Sequence, residues 1–156
     1  MATMKDLSAS RFRWAAVFGV MVINLALSAC SDKPDAKDTI MDLFTALHTN
    51  DTSLVRRSID FGRAWASVKD DLRQPEDSLL ADIPWGERLF ASLTGNGDLR
   101  QRWTKMQVVI NKTDLFGDSA SVEVSFIDRK SGMHFYNKMG LTRKGDRWVI
   151  VAFRTL

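Results

Sequence analysis

Few side chains in this sequence could do chemistry, and they are scattered. There is a single cysteine, Cys30, and there are two histidines, His48 and His134. One thiol allows no intramolecular disulfide and no cysteine cluster. Two histidines far apart, with no thiol beside them, do not make a zinc site. His48 could act as a base. Its place near the end of an amphipathic stretch fits better a solvated imidazole favoured by a helix dipole. His134 and Tyr136 share one parity of a strand-like run, opposite to Met133 and Phe135. The larger apolar residues claim the inward parity, so His134 and Tyr136 are expected to face out. Asp70 and Asp71 are adjacent, and adjacent residues on a helix point apart. No Gly-rich phosphate loop, Gly-x-Ser-x-Gly elbow or Walker pattern occurs. The expectation is therefore no metal, no cofactor and no assembled catalytic set, with His134, Tyr136 and His48 as the weak catalytic candidates. Of the five tryptophans, Trp14 lies near the start, and Trp65, Trp85, Trp103 and Trp148 lie further on. Most are expected in the core. Trp65 and Trp85 fall in the least regular region, where a pocket mouth or a protein contact could be built.

The position of Cys30 gives that thiol a reading. Lys5, Arg11 and Arg13 precede a charge-free run from Trp14 to Leu27, and the run closes with Leu27-Ser28-Ala29-Cys30. The run has the length of a signal-peptide core and is short of the roughly 20 apolar residues a spanning helix needs. Asn24 inside it also disfavours a permanent span. Small residues before Cys30 let an extended backbone enter a peptidase cleft. Leu27-Ser28-Ala29-Cys30 resembles the lipobox of bacterial lipoproteins. The resemblance covers about the first 30 residues. It implies diacylglycerol on the Cys30 sulfur, cleavage between Ala29 and Cys30, and acylation of the new amine. Residue 31 is Ser rather than Asp, which in an enterobacterial-type sorting system implies an outer-membrane address, facing the periplasm. The competing reading is an uncleaved anchor that spans from Trp14 to Ser31. Several acyl chains hold a protein stably, because each buried methylene contributes roughly 0.8 kcal/mol.

The 156 residues leave room for one domain beyond this leader, and 45% hydrophobic with 26% charged residues is ordinary for a globular chain. Of the formal charge of +3, the first 29 residues hold a net +2, from Lys5, Arg11 and Arg13 against Asp6. The remainder is close to neutral, which offers nucleic acid no strong electrostatic pull. The expected organisation is a signal peptide over 1–29, a lipidated tether over 30–37 and a single domain over 38–156. Ser31 to Lys37 is polar and contains Pro34, so it reads as an extended, solvated leash.

The elements that must position these residues come in two blocks. Ile40, Leu43, Phe44 and Leu47 recur at helical spacing, with Asp35 or Asp38 suited to the N-terminus. Asn50-Asp51 breaks the pattern and Thr52 can cap a second helix, whose buried side is Leu54, Val55, Ile59 and Phe61. Gly62 is expected to interrupt it. Gln74 to Asp82 reads as a loop. Asp82-Ile83-Pro84 reads as a helix start, with Trp85, Leu89, Phe90 and Leu93 as its apolar stripe and Gly95-Asn96-Gly97 as its end. From Trp103 onward the period changes to two. Met106, Val108 and Ile110 form one alternating set, and Val122, Val124 and Phe126 another. Met133, Phe135, Met139 and Leu141 share one parity. The last strand, Trp148 to Phe153, is apolar on both parities, which reads as central or covered on both sides. Turns at Phe116-Gly117-Asp118, Asp128 to Gly132 and Lys144-Gly145-Asp146 make neighbouring strands antiparallel. The fold class is therefore α+β, with N-terminal helices packed on a four-stranded antiparallel sheet.

Helices first, then long antiparallel strands ending in Leu141-Thr142-Arg143-Lys144-Gly145-Asp146-Arg147-Trp148-Val149-Ile150-Val151, resemble the NTF2-like (cystatin-like) superfamily. The resemblance covers most of residues 35–156 and implies a curved sheet closing a cone. It also implies a short first strand between the second and third helices, for which no segment of the sequence reads as a match. In enzymes of that superfamily, the SnoaL-like ones among them, a base inside the cone does the chemistry. The sequence-based expectation is instead a non-enzymatic envelope lipoprotein. It would be held to the lipid bilayer through Cys30 and bind an envelope protein or a small apolar ligand.

Overall fold

The computed structural model describes residues 35–69 and 83–154. The chain divides into two units, Met1–Lys33 and Pro34–Leu156. Ala29, Cys30, Asp70, Asp71 and the expected loop over Gln74 to Asp82 lie outside the described residues.

Helix α1, Ala36–Thr49, starts inside the stretch expected to be tether. The cause is a reciprocal cap. The Asp35 carboxylate accepts from the Lys37 amide, and the Asp35 amide donates to the Asp38 carboxylate. Ala36 is already fully buried. The anticipated face of Ile40, Leu43, Phe44 and Leu47 is buried as a set. Asn50 ends the helix at φ 57°, a left-handed conformation that Asn tolerates better than most residues.

Helix α2, Thr52–Ser58, is capped by Asp51 rather than Thr52. The Asp51 carboxylate accepts from the Leu54 amide and the Ser53 hydroxyl, at 3.0 and 2.7 Å. Ile59 then takes an extended conformation and forms a parallel bridge to Ile150, with the Asp60 amide donating to the Ile150 carbonyl at 2.9 Å. That single bridge lies between α2 and α3. It is too short to leave an alternating pattern. The break falls here and not at Gly62, which lies inside α3, Phe61–Val68, capped by Asp60. Helix α4, Trp85–Leu93, follows Pro84, which sits one position before the first helical residue. Helix α5, Asp98–Trp103, was not anticipated. It is under two turns long, and only Leu99 and Trp103, both fully buried, carry its inward side. No helix among the described residues is long and apolar enough to cross a membrane.

Strands β1 (Met106–Phe116), β2 (Ser119–Asp128), β3 (His134–Lys144) and β4 (Arg147–Ala152) form an antiparallel meander in chain order. Phe116 pairs with Ser119 and Lys144 with Arg147, so two hairpins close on the two-residue loops Gly117-Asp118 and Gly145-Asp146. Their glycines sit at φ 61° and 65°, as such tight loops require. The β1–β2 register shifts between Ile110 and Lys112, so Asn111 is a bulge. Strand β4 is at the end of the sheet and not central. Trp148, Val149 and Ile150 are nevertheless all buried, and Ile59 covers part of the outer edge.

The α+β core lies between the helices and one sheet face. Ala120, Val122, Val124 and Phe126 of β2 are buried, as are Asn137, Met139 and Leu141 of β3. Phe44, Trp103, Phe126 and Phe153 form a chain of ring contacts with centroids 5.3–5.8 Å apart. Each such pair adds about 0.5–1.5 kcal/mol beyond area burial. Asn137 is the polar residue on this inward row. Its amide donates to the Arg154 carbonyl and accepts from the Arg154 amide, which ties β3 to the chain beyond β4.

Candidate functional site

Two tryptophans, two phenylalanines and two arginines meet across α2, α3 and α4. Helix α3 presents Trp65 and α4 presents Trp85 from its first turn. The indoles stack with centroids 4.7 Å apart and planes 10° from parallel. Arg88, three residues after Trp85 and so on the same helical face, places its guanidinium carbon 3.9 Å from the centre of the Trp85 ring. Its Nε donates to the Ile83 carbonyl, which holds the guanidinium there. Phe61 and Phe90 meet edge to face at 5.4 Å. Arg56 of α2 lies 3.9 Å over Phe90 and donates from both terminal nitrogens to the Glu87 carboxylate at 2.9 Å.

This arrangement has a definite electrostatic state. The two-pronged bond from Arg56 holds the Glu87 carboxyl below its ordinary range and raises Arg56 above its own. Glu87 is thus a bound anion with both oxygens occupied by Arg56, which suits a strut between α2 and α4 better than a proton carrier. Trp85 remains 39% exposed. What the cluster can do is bind: a rigid, half-open aromatic plate backed by a cation suits an apolar or aromatic group of a partner.

The other candidates are dispersed. His48 is in the last turn of α1, with Nδ1 2.8 Å from the Phe44 carbonyl, so that nitrogen carries the proton and donates. His134 is the exposed first residue of β3. Tyr136 is 72% exposed on the outward parity. Trp103 and Trp148 are buried in the core. No group of three His, Cys, Asp or Glu able to hold a metal occurs among the described residues. Of the sequence candidates, the structure brings Trp65 and Trp85 together, leaves His134 and Tyr136 exposed on one parity of β3, and places His48 apart from them at the end of α1. The sequence reading missed Arg56, Glu87 and Arg88. Arg88 had a signal, its spacing from Trp85. The Arg56–Glu87 pair had none, because 31 residues separate the partners.

No known family model matches the chain, and no curated protein matches it. Among solved structures, the chain is similar to a Campylobacter jejuni protein described as a provisionally assigned NTF2-like transpeptidase. The two are 16% identical with a TM-score of 0.42, over 74% of this chain and 97% of the other.

Proposed function

We propose that this protein is a lipid-anchored envelope module that binds rather than catalyses, with the Trp65–Trp85 plate as its contact for a protein or small apolar ligand. The observation that carries the reading is the contrast between a filled aromatic core and a partly open tryptophan beside it. Toward the sheet, Phe44, Trp103, Phe126 and Phe153 pack ring on ring, and the polar residue on the inward row of β3, Asn137, is spent on the Arg154 backbone. Outside that core, Trp85 stays partly open beside Arg88. An enzyme with a base inside a cone would need a polar cavity where these rings lie. The anchor rests on the Leu27-Ser28-Ala29-Cys30 pattern. Four residues lie between Cys30 and Asp35, and an extended chain spans at most about 3.6 Å per residue, so the domain of a lipidated form works close to the bilayer.

The test has two arms in the organism's own membranes. Cys30→Ser is expected to release the chain from the membrane fraction or block its maturation. A photo-crosslinking residue at position 85 is expected to trap a discrete adduct that the same probe at position 136 does not. Membrane partition unchanged by Cys30→Ser would remove the anchor, and equal labelling from both positions would remove the contact site.

A further inference from the structure

A second surface has a different chemistry. A cleft of about 740 Å³ opens between the end of α5, the start of β1 and the β2–β3 turn. Arg102, Lys105 and Met106 line one wall, and Asp128, Arg129 and Lys130 the other. Asp98 and Gln101 complete it. Four cations thus meet two carboxylates around one opening.

One of the two carboxylates, Asp128, is already committed. One Asp128 oxygen accepts from the Lys130 amide at 3.0 Å, and the other from the Ser131 hydroxyl at 2.7 Å. These donors hold the Asp128 carboxyl below its ordinary range. Its charge serves the turn, and the turn is what projects Arg129 and Lys130. Lys105, Arg129 and Lys130 make no salt bridge with a described residue, and all three are exposed. Like charges gathered from two sequence-distant elements repel one another, and an anionic occupant relieves that repulsion. Met106 adds a half-buried apolar floor at the same place. The volume falls within the several hundred Å³ typical of small-molecule sites, well beyond a bare inorganic ion.

We infer that this cleft binds a phosphate-bearing amphiphile, with the phosphate held by Lys105, Arg129 and Lys130 and the apolar portion on Met106. An Arg fork and ammonium groups together suit a phosphate's several oxygens. The inference is independent of the Trp65–Trp85 plate and of lipidation at Cys30.

The test uses the full chain in neutral dodecyl maltoside, with methionine methyls labelled by carbon-13 and the Met106 signal identified through Met106→Leu. Hexyl phosphate is expected to shift the Met106 methyl saturably, and inorganic phosphate to bind more weakly. The double variant Arg129→Ala with Lys130→Ala is expected to weaken hexyl phosphate by about tenfold or more, the loss of one to two charge-assisted contacts. Lys138→Ala, an exposed cation on the outer face of β3, controls for net charge and is expected to bind as the parent does. Lys105→Ala, on the opposite wall, is the second variant should the double variant fail to fold. Phosphatidylglycerol added to the micelles distinguishes a lipid headgroup from a soluble phosphate ester as the source. Unchanged affinity in the cleft variants would overturn the site. Equal binding of hexanoate would overturn the phosphate, and equal binding of inorganic phosphate would overturn the apolar floor.

Discussion

Asp60 joins three parts of the fold through one residue. Its carboxylate accepts from the Arg63 amide at the start of α3 and from Lys144 Nζ at 2.7 Å, while its amide reaches the β4 carbonyl of Ile150. Lys144 is the main cause of a carboxyl held below its ordinary range, and partial burial opposes it. A group whose folded pKa is depressed stabilises the fold above its unfolded pKa, near 4. That contribution is lost as pH falls through the folded value. Asp60→Ala is therefore expected to cost about 1–2 kcal/mol at pH 7, chiefly through the cap. The gap from the parent should narrow below about pH 4. Urea denaturation at pH 7 and pH 3 measures it, and an equal gap at both would show that the charge plays no part. Lys144 is half exposed, so the ion pair itself contributes little.

Among the elements, α4 and α5 are joined by a corner with no room for a side chain at Gly97. A Cβ added at Gly97 would collide with the backbone oxygens of Ala91 and Ser92 at the end of α4. The Gly97 φ of −58° is open to any residue, so the demand is for space and not for left-handed backbone. The corner is further held by Asn50, whose side-chain oxygen accepts from the Gly95 amide, and by Arg100, which donates to the carbonyls of Leu47 and Gly95. Gly97→Ala is expected to destabilise by about 1–3 kcal/mol, whereas Gly95→Asn, at φ 56° with open space around it, should stay within about 1 kcal/mol. Thermal unfolding of the two variants compares them. A mild Gly97→Ala would mean that the corner yields.

Across the whole molecule, stability should divide by sheet face. Phe126 is fully buried and touches Phe44 and Trp103, while Tyr136 is 72% exposed. Phe126→Ala is expected to cost about 3–5 kcal/mol, and Tyr136→Ala to fall within about 0.5 kcal/mol. Chemical denaturation reads both. A large loss at Tyr136 would mean that the outward face is covered in the native assembly.

The amino-acid order by itself determined the elements that bury one periodic face. The α1 stripe from Ile40 to Leu47, the β2 alternation from Val122 to Phe126 and the Gly117 and Gly145 turns each carry their signal within a few residues. It also singled out Trp65 and Trp85 as the aromatic pair in the irregular region, though not that they stack. Tertiary structure alone decided the rest. Helix α5 is too short to show a period. The Ile59 bridge exists only because β4 lies beside it. The Arg56–Glu87 pair and the cleft of Lys105, Arg129 and Lys130 join residues that the chain keeps apart. Local backbone preference is written in neighbouring residues, but packing and charge act through space, between groups whose separation along the chain carries no trace of their contact.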